Sequence, residues 1–207
     1  MWCVLSNGLK LTFALNEALQ FDTSYNSVWN FSAIGRSFAD AHELYLTPEC
    51  TAVITVFEPQ AYNLTTYGVD NGWIMESYFQ EIEPTTNALL FEWQASDHVN
   101  INDTPWTPTT RGHLTNTSKE SWDFFHINSI EKDHRGNYLI SSRHMSSVYH
   151  INGETGDIQW TLGGRGDDST DLSDDRATDF AFQHQARWKS PDLDSICLFD
   201  DANCRLV

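Results

Sequence analysis

The stretch "HINSIEKDHRGNYLISSRHMSSVYHINGETGDIQWTLGG", residues 126–164, decides the fold. It holds four short segments, "HINSIEK", "NYLISS", "SVYHI" and "DIQWTL", rich in β-branched and aromatic side chains, which suit a pleated surface. Between them lie "DHRGN", "RHMS" and "NGETG", sets of residues that favour tight turns. Four strands joined by three short turns read as one antiparallel unit.

The same plan recurs along the chain. "HELYLTPECTAVITVFEP" starts at His42 and "HQARWKSPDLDSICLFDDA" at His184. Each reads histidine, short strand, polar turn, second apolar strand, as the segment from His126 does. "YFQEIEPTTNALLFEW" likewise matches "SVYHINGETGDIQWTLG": strand, turn with Thr and Asn or Gly, then a strand ending near Trp93 or Trp160. Further strands are expected at 51–57, 73–82, 88–93 and 195–199. A helical stripe is weak and confined to about residues 10–20. Joining the two repeat types gives a four-stranded unit with the period of a β-propeller blade, about 40–50 residues. The expectation is therefore an all-β chain, one propeller domain over residues 1–207 with about four blades. The last unit stops after its second strand, so the chain is expected to be truncated at both ends and the closed ring to be larger. The polar linker at 98–121 reads as a long surface loop.

Composition bounds the function. The chain has 207 residues and a formal net charge of −17, a field that repels nucleic acid and anionic membranes. No run approaches the ~20 apolar residues of a membrane span. Sequons at Asn30, Asn63, Asn102 and Asn116 point to the secretory route and surface loops. Cys3, Cys50, Cys197 and Cys204 form no C-x-x-C pair; Cys197 and Cys204 are placed to bridge a short loop, or all four are buried thiols. The acidic run 167–179 lacks the spacing of a calcium loop and reads as solvated.

In a propeller the innermost strands line the central channel, so residues at one repeat position converge there. That brings forward His42, His126 and His184. Arg143, in "SSRH", follows a strand adjacent to "HINS". Three imidazoles and a guanidinium suit a polyoxygen anion such as sulfate or phosphate, and a neutral imidazole is also a nucleophile. Three histidines could instead bind zinc, but the nearby Arg143 charge opposes a cation. No metal and no cofactor is expected. His98, His113, His134, His144 and His150 lie off the repeat position and read as surface or structural, with His144 in a supporting place beside Arg143. Phe180, Phe182 and Trp188 frame His184.

At "WDFFHINSIEKDHRGNYLISSRHMSSVYHINGETGDIQWTLGG" the sequence resembles the arylsulfotransferase family, its fungal secreted branch above all. "DAHELYLT", "FEWQASDHV", "FQHQARW" and "ICLFDDA" are similar to further blocks in the same order, over roughly residues 20–203. The resemblance implies a six-bladed propeller that moves a sulfuryl group from an aryl sulfate to a phenol, without a nucleotide donor, through a sulfohistidine. It implies His184 as the nucleophile, His126 and Arg143 as holders of the sulfuryl oxygens, Asn128 as a substrate-binding helper and His42 as the earlier-blade histidine. Proton donation by His126 or His42 would help the phenolate leave. Members of the family are longer and carry a signal peptide.

Overall fold

Two four-stranded antiparallel meanders and a two-stranded hairpin follow the repeats read from the sequence. The computed structural model describes residues 10–14, 17–21, 24–37, 39–108, 115–164 and 178–201. Cys3, Cys204, His113 and nearly all of the acidic run lie outside them. The chain divides into two compact units, Met1–Glu58 with Tyr78–Trp93, and Pro59–Ser77 with Gln94–Val207.

The first unit opens with β1 (Lys10–Ala14), β2 (Glu17–Phe21) and β3 (Ser27–Ser32), an antiparallel sheet in that order. This corrects the weak helical stripe at 10–20. "KLTF" alternates polar and apolar residues with the period of a strand, and the 3.6-residue spacing was incidental. The second sheet is β4 (Ala39–Leu46), β5 (Ala52–Ala61), β6 (Trp73–Glu83) and β7 (Ala88–Gln94), hydrogen-bonded in chain order. Its core is Leu44, Ala52, Ile54, Val56, Tyr78 and Ile82, with Trp29 and Ile34 packed on it. Trp93 is fully buried and stacks on Phe79 at 5.8 Å. Burying one such ring stabilises the fold by about 2–3 kcal/mol. Arg36 ties the loop after β3 to this sheet: it grips Glu92 with two N–H groups, at 2.6 and 3.2 Å, and lies 4.0 Å from the Tyr78 ring centroid.

The second unit contains the stretch quoted first. β8 (Ile127–Lys132), β9 (Tyr138–Ser142), β10 (Ser147–Ile151) and β11 (Ile158–Gly163) form a sheet in chain order. β9 and β10 are buried at every position, as central strands covered on both faces are. The β8–β9 turn is set by Asp133, whose Oδ1 accepts from the backbone N–H of Arg135 and Asn137, and by Gly136 at φ +87°. The final hairpin is β12 (His184–Trp188) and β13 (Ile196–Phe199). β12 packs against β8 and β9, and Ala186 joins Leu139 and Val148 in a core that includes Trp160, Phe180 and Trp188.

The histidine strands share an irregularity. Register shifts fall between Asp40 and Leu44 in β4, between Ile127 and Ser129 in β8, and between His184 and Arg187 in β12. A bulge at the start of each of these strands re-aims the side chains there, a feature common beside functional sites. The linker at 98–121 is not only surface loop: Ile101 and Thr104 are buried, and Thr104 Oγ1 donates to the His144 carbonyl at 2.8 Å. No helix among the described residues is long and apolar enough to cross a membrane.

Candidate functional site

Within the second unit, backbone bonds lay "SSRH" beside "FFHI". The Arg143 N–H donates to the His126 carbonyl at 2.9 Å, and the His144 N–H to that of Phe125 at 3.1 Å. "FQHQ" is drawn to the same place. Asn128 Nδ2 donates to the Gln183 carbonyl at 2.6 Å, and Gln183 Nε2 reaches Ser141 Oγ and the carbonyls of Ser142 and Ser147. Asn128 and Gln183 are both buried, so the residue immediately before His184 is pinned from both sides. Asn128 thus tethers the strand that carries His184, while its Oδ1 is buried with no partner among the described residues. The backbone is strained around these residues: His126, Phe182 and Gln185 have φ of 60°, 54° and 57°. Such left-handed conformations cost energy for side chains other than glycine and gather at functional sites.

His126 is part-buried. Its Nδ1 lies 2.5 Å from Asp123 Oδ2. An ionised carboxylate only accepts, so Nδ1 carries a proton and Nε2 is the nitrogen left to give or take a second one. Burial pushes the Asp123 carboxyl up, but the hydrogen bonds it accepts from His126 and His144 outweigh this and hold it well below the usual carboxylate range.

Arg143 is half-buried. Its guanidinium donates to His144 Nε2 at 3.2 Å and lies 4.8 Å from the Phe182 ring centroid. Among the described residues no carboxylate pairs with it.

His184 opens β12, opposite Phe199, and is half-buried. Of its expected frame, Phe182 meets Arg143 and touches Trp106 edge-on at 5.8 Å, whereas Phe180 and Trp188 belong to the core. His42 belongs to the first unit and is exposed. Its ring Nδ1 bonds Asp40 Oδ1, its backbone N–H donates to the same oxygen at 2.9 Å, and Phe57 stands edge-on at 5.9 Å.

Three site residues escaped the sequence reading or were underweighted there. Asp123 orients His126. His144 lies between Asp123 and Arg143. Trp106, from the linker, stacks on His144 at 5.3 Å and accepts from Trp122 Nε1 at its carbonyl. A usable signal for Asp123 was present: "DAH" and "DFFH" each put an aspartate two or three residues ahead of a repeat histidine. His150, read as structural, is so: its Nε2 lies 3.0 Å from Asp133 Oδ2 and its ring stacks on Trp160. Cys50 and Cys197 are free thiols among the described residues.

Asp123, His126 and His144 could converge on a metal, their ligand atoms lying within 4.8 Å of one another. The donor set argues against it. A metal on His144 Nδ1 would leave Nε2–H facing a guanidinium that itself only donates. The positive charge of Arg143, with no carboxylate partner among the described residues, adds to that cost, so the arrangement suits an oxyanion better than a cation.

Among curated proteins no relative of the chain is found. Among solved structures, a protein of unknown function from Bacteroides caccae is similar at 14% identity, with a TM-score of 0.43. The match covers 76% of this chain and 43% of that one, so the chain spans less than half of its length. A likeness at that level carries no argument. The family model described as Arylsulfotransferase (ASST) matches residues 11–205, nearly the whole sequence, and the chain belongs to that family.

Proposed function

We propose that the protein is a sulfotransferase of the secreted, aryl-sulfate-dependent kind, carried on a propeller of which this chain holds about four blades. It takes a sulfuryl group from an aryl sulfate and gives it to a phenol through a sulfohistidine at His184. The observation that carries the reading is Arg143. It is a guanidinium with no carboxylate partner among the described residues, bonded through its backbone to His126 and stacked on Phe182, two residues before His184.

The chemistry follows from the donors. Arg143 offers a planar fork to the non-bridging oxygens and steadies the charge gathered there. A nitrogen of His184 attacks sulfur, and the N–S bond forms as the aryl S–O bond breaks. The electron pair leaves on the phenolate oxygen, which takes a proton from Nε2 of the His126 imidazolium, stabilised by Asp123 behind it. In the second half-reaction the acceptor phenol returns a proton to His126 while its oxygen takes the sulfuryl group. Asn128 acts by fixing the backbone at residue 183. His42 keeps its repeat position in the first unit, where Asp40 holds its ring. The four sequon asparagines are all exposed, which supports passage through the secretory route.

Steady-state kinetics with 4-nitrophenyl sulfate and a second phenol test the reading. Parallel double-reciprocal lines as the acceptor is varied are the expected result. Intersecting lines, or release of 4-nitrophenol that His184→Ala leaves unchanged, would remove the covalent intermediate.

A further inference from the structure

We infer that His144 and Asp123 are positioning residues that join Arg143 and His126 into one hydrogen-bonded unit. His144 holds the guanidinium by accepting from it at Nε2, and Asp123 sets the ring of each histidine. The inference rests on the proposed transfer reaction for its purpose, and on the geometry alone for its parts.

The chain of bonds has one consistent proton assignment. A guanidinium has no acceptor, so in the 3.2 Å contact Arg143 donates and His144 Nε2 accepts. That nitrogen then carries no proton, and His144 Nδ1 must. Nδ1 faces two acceptors: the Asp123 carbonyl oxygen at 2.5 Å and its carboxylate Oδ2 at 3.7 Å. Neither can donate, so Nδ1 carries the proton, and the two ends of the ring together give the neutral Nδ1–H tautomer. The same carboxylate oxygen accepts from His126 Nδ1. One aspartate therefore holds both rings by their Nδ1–H groups, through its main chain and its side chain.

The ring of His144 is held as firmly as its protons. Trp106 stacks on it with the planes 15° apart, the His126 ring lies 4.8 Å away, and Thr104 fastens its carbonyl. His144 is buried, whereas Arg143 and His126 are only partly so. It lies behind the groups that would meet an anion. Arginine loses much side-chain freedom when ordered, and a guanidinium gripped in advance spares that loss when the sulfuryl oxygens arrive. A small misplacement of such a group can slow a reaction about 10²-fold.

The test compares His144→Gln, His144→Asn and His144→Phe with wild type. Gln places an oxygen near the Nε2 position and can still accept from Arg143. Asn reaches only the Nδ1 position. Phe keeps the stack on Trp106 and loses both bonds. Imidazole ¹⁵N shifts of the wild-type protein read the tautomer directly, without any reaction. Titration with inorganic sulfate reads the readiness of Arg143, and single-turnover release of 4-nitrophenol from its sulfate reads the chemistry. The expected result is Nδ1–H on His144, with His144→Gln close to wild type. His144→Asn and His144→Phe should bind sulfate about 10-fold more weakly and turn over about 10²-fold more slowly. If wild type releases no 4-nitrophenol yet shows this tautomer and this order of sulfate affinity, the positioning stands and the transfer reading falls. A proton on Nε2, equal behaviour of His144→Gln and His144→Asn, or stoichiometric zinc binding that needs Asp123, His126 and His144 would overturn the inference. The tautomer measurement needs no variant to fold.

Discussion

Each unit contains an aspartate clamped to a repeat histidine, and the two pairs differ in what surrounds them. In the first unit Asp40 holds His42 on an exposed strand, with side-chain exposures of 27% and 34%. Phe57 stands at the ring edge. In the second unit Asp123 holds His126 at 18% side-chain exposure, and the same aspartate serves His144, which in turn holds Arg143. The repeat supplies an oriented imidazole in both places. The hairpin and linker of the second unit supply the rest: a cation, a second ring and an aromatic buttress. A repeated device gains chemical power from the loops that surround it.

The contrast can be broken from either side. The largest effect is expected from His184→Ala, which should cut sulfuryl transfer on the order of 10⁴-fold in single-turnover assays, as loss of a nucleophile does. Arg143→Lys keeps the charge and loses the planar fork. It should lower kcat about 10²-fold with a smaller change in KM, since the fork matters most where charge gathers in the transition state. A matched pair of variants then compares the two aspartates. Asp123→Ala should slow turnover about 10²-fold. Asp40→Ala, removing a contact that water screens, should slow it about threefold or less. Equal losses would erase the distinction between the dyads.

Stability gives smaller and independent readings. A β-carbon at Gly153 would meet the Gly136 carbonyl oxygen at 1.8 Å, a clash with backbone that no side-chain rotation relieves. Gly153→Ala should destabilise the second unit by about 3 kcal/mol, read as a lower midpoint in urea. Arg36→Ala removes the half-buried grip on Glu92 in the first unit and should cost about 1–2 kcal/mol.

Acid titration separates the carboxylates by sign. Asp123, Asp133 and Asp40 are held below their usual range, in each case by imidazole bonds that outweigh burial. Their contribution to stability is complete above about pH 4, the unfolded value, and is lost as pH falls through the folded values. Glu76 runs the other way. Burial pushes it up despite donors from Ser77, Ser96 and Gln94, so its ionisation opposes folding and acid relieves that cost. The melting temperature of wild type should therefore fall below about pH 4, and that of Asp123→Asn should fall less steeply.

The strands were legible because their signals are local. "TAVITVF", "NYLISS" and "DIQWTL" carry their own β-branched and aromatic residues, and polar turns cut them to length. The pairing of HINS with SSRH was legible because the repeat implies a hairpin. Asp123 and His144 were harder to find. Asp123 meets His126 three residues on, where the backbone adopts φ 60°, a bend no propensity announces. His144 gains its place from Trp106, some forty residues upstream across a linker that composition marks as plain surface. The hairpin at 10–21 was obscured for the opposite reason: its apolar residues also fit a helical spacing, and only pairing resolves the two periods.

One measurement tests the central claim most directly: intact-protein mass spectrometry after brief mixing with an aryl sulfate and no acceptor, with His184→Ala beside it. The account predicts a gain of one sulfuryl group on wild type, absent from the variant and discharged when a phenol is added. Well-folded wild-type protein that releases phenol with no adduct on His184, or an adduct that persists in His184→Ala, would contradict it.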